Sequence, residues 1–400
     1  MDTPIPAETP ASVLQAFFVA SAMEAVILLM IMAYSPLYLH QHFHASYLEA
    51  SMGAALPALM TFAGSMLWSQ LSRRFSLVTL GVIGLAGYLG LGSGAILSNS
   101  AWSYIAFTAS ATIFSSALAP ATLASLTVGG GNMGGRLATR LRWQSAGWMV
   151  SGLFGGWLFD LTPRSFPWLL FALGVAACVP LALLWRQGHH VVPVVAVPSA
   201  SQVSGTGPAR GPLLVVVSAV VLPFFLAYAG NEGFFTNFGI YLHATGVSSE
   251  WVGWSSAIST AGGWLLASRI GRWSDHYGGR TILIGVFSLY GLVYLVMALI
   301  HLPLVSIVAF SLPLYPLLNI GVQRAGVEDI PSHLHGSIMG WINGASGLAT
   351  FAGTTLLGAL EDHQGPQAAP WGAFALVACA LILSLSVRPR NPSRPHAGLR

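Results

Sequence analysis

The sequence GRWSDHYGGR, residues 271–280, stands between two long apolar stretches and holds three charged residues within ten positions. Charge is rare elsewhere: 7% of the 400 residues are charged and 54% are hydrophobic. A soluble globular chain carries about 25% charged residues, and the mean hydropathy here is +0.70. The composition therefore predicts an all-α polytopic membrane protein in which segments such as 271–280 are polar loops between spans.

About twelve apolar stretches approach the roughly 20 residues that a helix needs to cross a bilayer. We predict membrane helices at 13–38, 47–70, 76–97, 101–126, 142–160, 166–186, 213–241, 250–270, 281–300, 303–324, 336–360 and 369–387.

Arginine is distributed unevenly between the predicted loops. The chain has 16 arginines and no lysine, and all arginines except Arg164 fall in every second gap between helices or in the C-terminal tail. Cytoplasmic loops of membrane proteins are enriched in Lys and Arg. We therefore expect an integral protein of a bacterial cytoplasmic membrane with both termini in the cytoplasm. The same pattern accounts for the net charge of +4, so no nucleic-acid partner is predicted.

The chain divides into two halves that repeat one another. Residues 1–186 form a first six-helix bundle, 187–212 a polar cytoplasmic linker, 213–387 a second bundle and 388–400 a cytoplasmic tail. The triplet at 38–40, YLH, recurs at 241–243, and the triplet at 171–173, FAL, recurs at 374–376. Both pairs are 203 residues apart, which predicts two parallel six-helix repeats with a site near the bilayer midplane between them.

Residues 271–280 resemble the cytoplasmic loop signature of the major facilitator superfamily, roughly G-x-L-S-D-R-x-G-R-R. The matching residues are Gly271, Ser274, Asp275, Gly278 and Arg280. A degenerate copy lies at 68–77 in the first half, and 327–340 looks like the family's entry into helix 11. The resemblance implies the fold of that superfamily and a secondary transporter, with the subfamily unresolved.

In that family the loop acid helps to hold the cytoplasmic ends of the two halves together when the carrier faces outward. The resemblance thus implies that Asp275 meets the start of helix 5, near Arg140 or Arg142, and that the other half uses the reversed polarity. The predicted latch residues are Asp275, Arg280, Arg142, Arg73, Arg74, Glu328 and Asp329. The alternative is a set of solvated loop charges worth about 0–1 kcal/mol each.

Two carboxyl groups lie inside predicted helices, Glu24 in helix 1 and Glu232 in helix 7. An ionisable group in the bilayer must face a cavity, pair with another group or be neutral, and such groups are usually functional. Both are candidate proton-coupling residues; the alternative is a neutral carboxyl hydrogen-bonded to a neighbouring helix. Around Glu232, the glycines Gly230 and Gly233 predict an interrupted helix of the kind that builds midplane sites.

We find no arginine or lysine at midplane depth, which argues for a neutral or cationic organic substrate. Polar and aromatic side chains of the central helices suit hydrogen bonds and cation–π contacts; some of them serve helix packing instead. The predicted substrate-binding residues are Tyr34, Gln144, Trp148, Tyr228, Asn231, Asn237, Tyr315, Asn319 and Asn343. The Ser/Thr run of helix 4, from Thr108 to Ser116, is assigned to close packing.

The outer end of helix 1 carries His40, His42 and His44, with His243 at the equivalent place in helix 7. Without cysteine or carboxylate neighbours these histidines lack a strong ligand signature, so we predict neither a metal site nor a cofactor. No nucleophile and base pair stands at active-site spacing, so the chain is not expected to be an enzyme.

Taken together, the sequence predicts a monomeric, proton-coupled transporter in the lipid bilayer that moves a small organic solute by alternating access. Export is the expected direction. The alternatives are a proton-coupled importer of a sugar-like or nutrient solute, and a transporter-like membrane sensor or assembly protein without net transport.

Overall fold

A computed structural model of the protein describes residues 11–71, 75–127, 133–161, 163–187, 217–328 and 335–386. Over these ranges the chain is helical, and they contain no β-strand. The first half consists of α1 (Ala11–Phe43), α2 (Tyr47–Leu71), α3 (Leu77–Ile96), α4 (Ala101–Ser115), α5 (Leu118–Thr127), α6 (Met133–Leu161) and α7 (Phe166–Arg186). The second half consists of α8 (Leu222–Ala244), α9 (Glu250–Tyr277), α10 (Gly279–Leu299), α11 (Pro303–Phe310), α12 (Leu314–Glu328), α13 (His335–Gln364) and α14 (Ala369–Ser386).

Two of the predicted helices are each broken into two pieces. Helix 4 is interrupted between α4 and α5, where Pro120 lies in the first turn of α5. Helix 10 is interrupted between α11 and α12, with Pro313 immediately before α12 and Pro316 inside it. Proline has no N–H to donate to the preceding turn, so it ends or kinks a helix. Each pair of pieces still forms one candidate membrane span, so the described ranges contain twelve long helical segments when each pair is counted once.

Eight spans in the described ranges are apolar and long enough to cross a membrane by length and composition. The four other long helices are α6, α8, α9 and α13, and each packs against a helix of the opposite half: α6 on α9, α8 on α1 and α13 on α2. Helices at the centre of the bundle are sheltered from lipid, so they tolerate more polar residues than helices at its rim.

The spacing of 203 residues seen in the sequence also relates the helix bounds. Tyr47 and Glu250 begin α2 and α9, and Phe166 and Ala369 begin α7 and α14. Leu161 and Gln364 end α6 and α13. The two halves are therefore structural repeats with the same direction of chain.

Residues 271–280 are mostly helical, although the sequence predicted a loop. The helix α9 continues to Tyr277, and α10 begins at Gly279. Between them Gly278 alone makes the turn, with φ of +80°, a conformation that glycine adopts without steric cost. Polar residues do not end a helix, so α9 extends beyond the predicted boundary at residue 270.

The bundle has a histidine end, which holds His40, His42, His44 and His243, and an arginine end, which holds Arg186, Arg272, Arg280 and Arg324. At the histidine end the two halves are in contact. The Asp362 carboxylate on α13 accepts hydrogen bonds from the N–H groups of Tyr47 (2.6 Å) and Leu48 (3.2 Å) at the start of α2. Ser51 on α2 donates to the side-chain oxygen of Asn237 on α8, at 2.9 Å. The structure is therefore closed at the histidine end.

Backbones of the two halves also meet directly. A Cβ placed on Gly152 of α6 would lie 2.7 Å from the carbonyl oxygen of Gly253 on α9, and a Cβ on Gly253 would collide with the carbonyl oxygen of Gly152. Nearby, a Cβ on Gly156 would lie 2.6 Å from the Cα of Glu250. Only glycine allows α6 and α9 to pack this closely.

Candidate functional site

The second half contains a polar cluster centred on Glu232 of α8. The side-chain amide of Asn231 donates to Glu232 Oε1 at 3.2 Å, and the Tyr294 hydroxyl donates to Asn231 Oδ1 at 3.0 Å. Tyr228 interacts electrostatically with the Glu232 carboxyl, and its hydroxyl lies 3.1 Å from that of Tyr315. Hydrogen bonds thus join α8 to α10 and to α12.

Four tyrosines surround this carboxyl and are called the tyrosine cluster here: Tyr228, Tyr290, Tyr294 and Tyr315. All four interact electrostatically with Glu232. The rings of Tyr290 and Tyr294 stack with centroids 5.9 Å apart, and those of Tyr228 and Tyr315 lie 6.2 Å apart. Aromatic rings and hydroxyl groups thus lie around one partly buried acid.

Helical spacing explains how three helices build this cluster. Each helix supplies two residues four positions apart, which lie on one face: Tyr228 and Glu232 on α8, Tyr290 and Tyr294 on α10, Tyr315 and Asn319 on α12. The side-chain amide of Asn319 also donates to the carbonyl oxygen of Tyr315 at 3.3 Å.

The helix around Glu232 is continuous, so the predicted interruption at Gly230 and Gly233 is wrong. These glycines serve close packing instead. A Cβ on Gly233 would lie 2.6 Å from the carbonyl carbon of Gly353 on α13, and one on Gly230 would lie 3.0 Å from the carbonyl oxygen of Ala373 on α14.

The first half contains the second buried acid, Glu24 of α1. Its Oε2 is fully enclosed and has no hydrogen-bond partner among the described residues. Arg140 of α6 is its electrostatic partner, and this arginine is only 9% exposed. The sequence placed Arg140 in a cytoplasmic loop, whereas it lies on α6 and approaches Glu24, because α6 begins nine residues before the predicted boundary at 142.

The predicted substrate-binding residues fall into three groups. Tyr228, Asn231, Tyr315 and Asn319 come together around Glu232. Tyr34 and Asn237 lie where the halves meet: a Cβ on Gly253 would be 2.8 Å from the Tyr34 hydroxyl, and Asn237 is fully buried. Gln144 and Trp148 are half-buried on α6, and Asn343 is exposed on α13.

Sequence reasoning missed two members of the tyrosine cluster, Tyr290 and Tyr294. Their signal is visible in the segment at 288–295, SLYGLVYL, where two tyrosines four positions apart stand on an otherwise apolar helix face. An aromatic hydroxyl in an apolar span needs a polar partner, and here the partner of Tyr294 is Asn231.

The predicted latch residues that the structure describes make contacts within their own half. Asp275 Oδ1 lies 4.0 Å from Arg324 Nη2, with side chains 76% and 45% exposed. Glu328 accepts from the Gly279 N–H at 3.0 Å, and Arg280 donates to the carbonyl oxygen of Ser384 at 2.6 Å. Arg142 is exposed. Arg73, Arg74 and Asp329 lie outside the described residues.

The histidines of the histidine end contact backbone and aromatic groups. His40 Nδ1 lies 2.9 Å from the carbonyl oxygen of Ala45, and its ring stacks on Tyr47 with centroids 4.8 Å apart. His42 stacks on Tyr38 at 5.1 Å. In the part of the chain that the structure describes, no three His, Cys, Asp or Glu side chains are grouped as a metal site.

Comparison with solved structures identifies transporters of the same fold. A peptide transporter POT variant in complex with alafosfalin has a TM-score of 0.74 and 11% identity, covering 93% of this chain and 92% of that one. A POT family transporter in complex with 5-aminolevulinic acid has a TM-score of 0.70 and 13% identity, covering 93% and 94%. The nucleoside transporter NupG has a TM-score of 0.71 and 12% identity, covering 94% and 98%.

The sequence comparisons agree with the fold. No curated protein sequence matches the chain. A family model described as the Major Facilitator Superfamily matches residues 16–354, most of the chain and parts of both halves. With this match and its two repeated helical halves, the chain belongs to the major facilitator superfamily and is a membrane transporter, not an enzyme.

Proposed function

We propose that the protein is a proton-coupled transporter that moves a small neutral or cationic organic solute by alternating access. The observation that carries this proposal is the partly buried Glu232 carboxyl beside the tyrosine cluster on α8, α10 and α12. It is an ionisable group inside the bundle, held by hydrogen bonds and surrounded by aromatic faces.

The charge of this cluster supports a cationic or neutral solute. An ionised carboxylate inside a membrane protein requires a compensating positive charge or a proton. The groups that approach Glu232 are Asn231 and four tyrosines, which bring no positive charge. A cationic solute can supply that charge, and the negative faces of the tyrosine rings favour it further through cation–π contacts. When the solute is neutral, a proton on Glu232 compensates the charge of the carboxylate instead.

The acid in the first half does not change this conclusion. Arg140 could attract an anionic solute, but its charge is opposed by Glu24, which is its electrostatic partner. A carboxylate solute entering here would have to displace Glu24 from the guanidinium. We therefore assign substrate charge selection to Glu232 and keep Glu24 as a second coupling residue.

Coupling between the proton and the solute follows from their competition for the Glu232 carboxyl. When a proton and a cationic group of the solute share the same site, binding of one weakens binding of the other, and the effect is reciprocal. Alternating exposure of Glu232 to the two sides of the membrane then exchanges protons for solute, which gives export. Binding of the proton and a neutral solute together gives import by symport, the alternative direction.

The solved structures of the same fold include a peptide transporter and a nucleoside transporter. At 11–12% identity they support no more than a small organic solute for this chain.

The orientation that we propose follows the arginines: the arginine end lies in the cytoplasm, so the structure closed at the histidine end faces the cytoplasm. In the opposite state, Asp275 and the other latch residues meet across the arginine end. We propose a monomer in a bacterial cytoplasmic membrane.

The test is ligand-induced thermal stabilisation of the purified protein with four probes, choline, tetraphenylphosphonium, uridine and glucose. We expect a probe to raise the melting temperature of the wild type and to lose that effect in Glu232→Gln. The control is Glu49→Gln, which removes a carboxyl at the start of α2, away from the cluster, and should bind as the wild type does.

Proteoliposomes loaded with a pH-sensitive dye then test coupling. Adding the stabilising probe outside should change the internal pH in wild-type vesicles, and the sign of that change distinguishes export by exchange from import by symport. Stabilisation without any solute flux would reject transport and favour a sensor. Equal stabilisation of wild type and Glu232→Gln would reject the assigned site.

A further inference from the structure

The first half contains a small cavity beside Glu24, the residue that the transport proposal keeps as a second coupling site. It lies between α1, α2 and α4 and has a volume of about 20 Å³. A space of about 10–15 Å³ or more suffices for one water molecule. Its polar lining consists of Glu24, Thr61, Thr112 and Ser115.

All four polar groups of this lining present oxygen atoms. Glu24 Oε2 and the Thr61 hydroxyl are fully enclosed and have no hydrogen-bond partner among the described residues. Such orphaned polar atoms are costly to bury, by roughly 1–3 kcal/mol each. A ligand that fits the cavity and satisfies both atoms would remove this cost.

The two other hydroxyls have their hydrogens directed away from the cavity. Thr112 donates to the carbonyl oxygen of Ala109 at 2.8 Å, with Pro57 O a second acceptor at 3.2 Å. Ser115 donates to the carbonyl oxygen of Thr112 at 3.3 Å. A hydroxyl whose hydrogen is engaged has only lone pairs to offer, so the lining is a set of acceptors around one carboxylate.

We infer that this cavity, between Glu24, Thr61, Thr112 and Ser115, is a binding site for Na⁺. Hard cations take oxygen ligands such as carboxylates, and one carboxylate balances one positive charge. The volume admits a sphere the size of a water molecule, so a dehydrated Na⁺, which is smaller than a water molecule, enters without displacing the lining. The remaining lining is aliphatic, which leaves the oxygens of these four side chains as the ligands.

The Glu24 carboxylate can also pair with a second positive charge, the guanidinium of Arg140. Its guanidinium approaches Glu24 electrostatically, and its Nε has no hydrogen-bond partner among the described residues. Na⁺ and the guanidinium therefore compete for the same carboxylate. Since α1 and α2 both contact the second half, an ion that ties α1 and α2 to α4 fixes two of the helices that form the interface between the halves.

The test is binding of ²²Na⁺ to the purified full-length protein, with choline chloride holding the ionic strength constant. We expect saturable binding to the wild type that excess unlabelled Na⁺ displaces and excess choline does not. Both Glu24→Gln and Thr61→Val should weaken binding at least tenfold, and Thr61→Ser, which keeps the hydroxyl, should restore it.

Thr108→Val is the matched control. Thr108 lies one turn before Thr112 on α4 and is buried, but it does not line the cavity, so this variant should bind as the wild type does. Each variant must elute as a single peak in size-exclusion chromatography. If Glu24→Gln does not fold, the Thr61→Val and Thr61→Ser pair decides alone.

Three results would overturn the inference. No saturable ²²Na⁺ binding to the wild type would mean that the cavity holds water or a proton only. Binding that persists in both Glu24→Gln and Thr61→Val would put the ion elsewhere. Displacement by choline as strong as by unlabelled Na⁺ would mean that the site does not select a small cation. None of these measurements depends on Glu232, so the sodium site and the transport proposal can fail separately.

Discussion

Gly253→Ala should shift the protein away from the state that is closed at the histidine end. The added Cβ collides with the carbonyl oxygen of Gly152 on α6, in the opposite half. Both partners are backbone atoms of long helices, so no side chain can rotate to make room. The halves must separate at this crossing for the methyl group to fit.

The magnitude follows from the cost of overpacking. Adding a methyl group to a tightly packed contact costs about 1–3 kcal/mol. At 1.4 kcal/mol per factor of ten, this corresponds to a decrease of about 5- to 150-fold in the ratio of closed to open molecules. A gap of about 0.5–1 Å between α6 and α9 would also forfeit about a quarter to a half of their local dispersion energy, which acts in the same direction.

Pulsed electron–electron double resonance measures this equilibrium without knowledge of the substrate. The two free cysteines, Cys178 and Cys379, are first replaced by alanine. Spin labels are then attached at Asn99→Cys and His301→Cys, two exposed positions at the histidine end in different halves. We expect a dominant short distance in the parent protein and a growing longer distance after Gly253→Ala.

Gly285→Ala is the matched control, because Gly285 lies inside α10 of the same half and a Cβ there meets nothing within 4 Å. Both substitutions gain similar helix propensity, about 1 kcal/mol, so this contribution cancels in the comparison. If Gly253→Ala and Gly285→Ala give the same distance distribution, the glycine crossing does not control closure and the reasoning is refuted.

Three further predictions concern the histidine end and the tyrosine cluster. Burial and the neighbouring Asp362 raise the pKa of Glu361, which lies beyond the predicted membrane stretch 336–360 and also faces Tyr47. The unfolded chain ionises near pH 4.3 while the folded carboxyl keeps its proton, so stability should fall as pH rises above about 4.3. Melting curves from pH 4 to 8 should show a shallower decline in Glu361→Gln, and parallel curves would contradict this. Asp362→Ala removes the acceptor of two N–H groups at the start of α2 and should cost about 0.5–2 kcal/mol, seen as a lower urea midpoint; an unchanged midpoint would argue against the cap. Tyr294→Phe leaves the Asn231 oxygen without its donor and should cost about 1–3 kcal/mol in the same assay, whereas Tyr277→Phe on the exposed surface should be neutral.

The fold was largely predictable because its strongest signals are local. Apolar length locates each span, and the placement of arginine orders the loops. The breaks between α4 and α5 and between α11 and α12 were missed, although Pro120 and Pro313 mark them, because hydropathy continues unchanged across a proline. The early start of α6 was missed because Arg136 and Arg140 lower the hydropathy of the segment but do not prevent it from forming a helix.

The candidate site was only partly predictable because it depends on which helices become neighbours. Glu232 and Asn231 stood out as polar residues in an apolar span, but nothing in α10 alone indicates that Tyr290 and Tyr294 face them. Likewise, the Ser/Thr run of α4 reads as packing until α1 and α2 bring Glu24 and Thr61 beside it. The sequence locates polar residues along each helix, whereas the packing angles decide which of them meet.

The one-residue turn at Gly278 has a mechanical consequence. A connection of one residue has no slack, and Glu328 of α12 accepts from the N–H of the next residue, Gly279. The helices α9, α10 and α12 are thereby joined at the arginine end into one lever. When α9 moves away from α6 at the Gly152 crossing, α10 must follow it and carries Tyr290 and Tyr294 along. We therefore expect separation of the halves at the histidine end to reach the walls of the proposed binding site through the backbone turn at Gly278 and the Glu328 hydrogen bond.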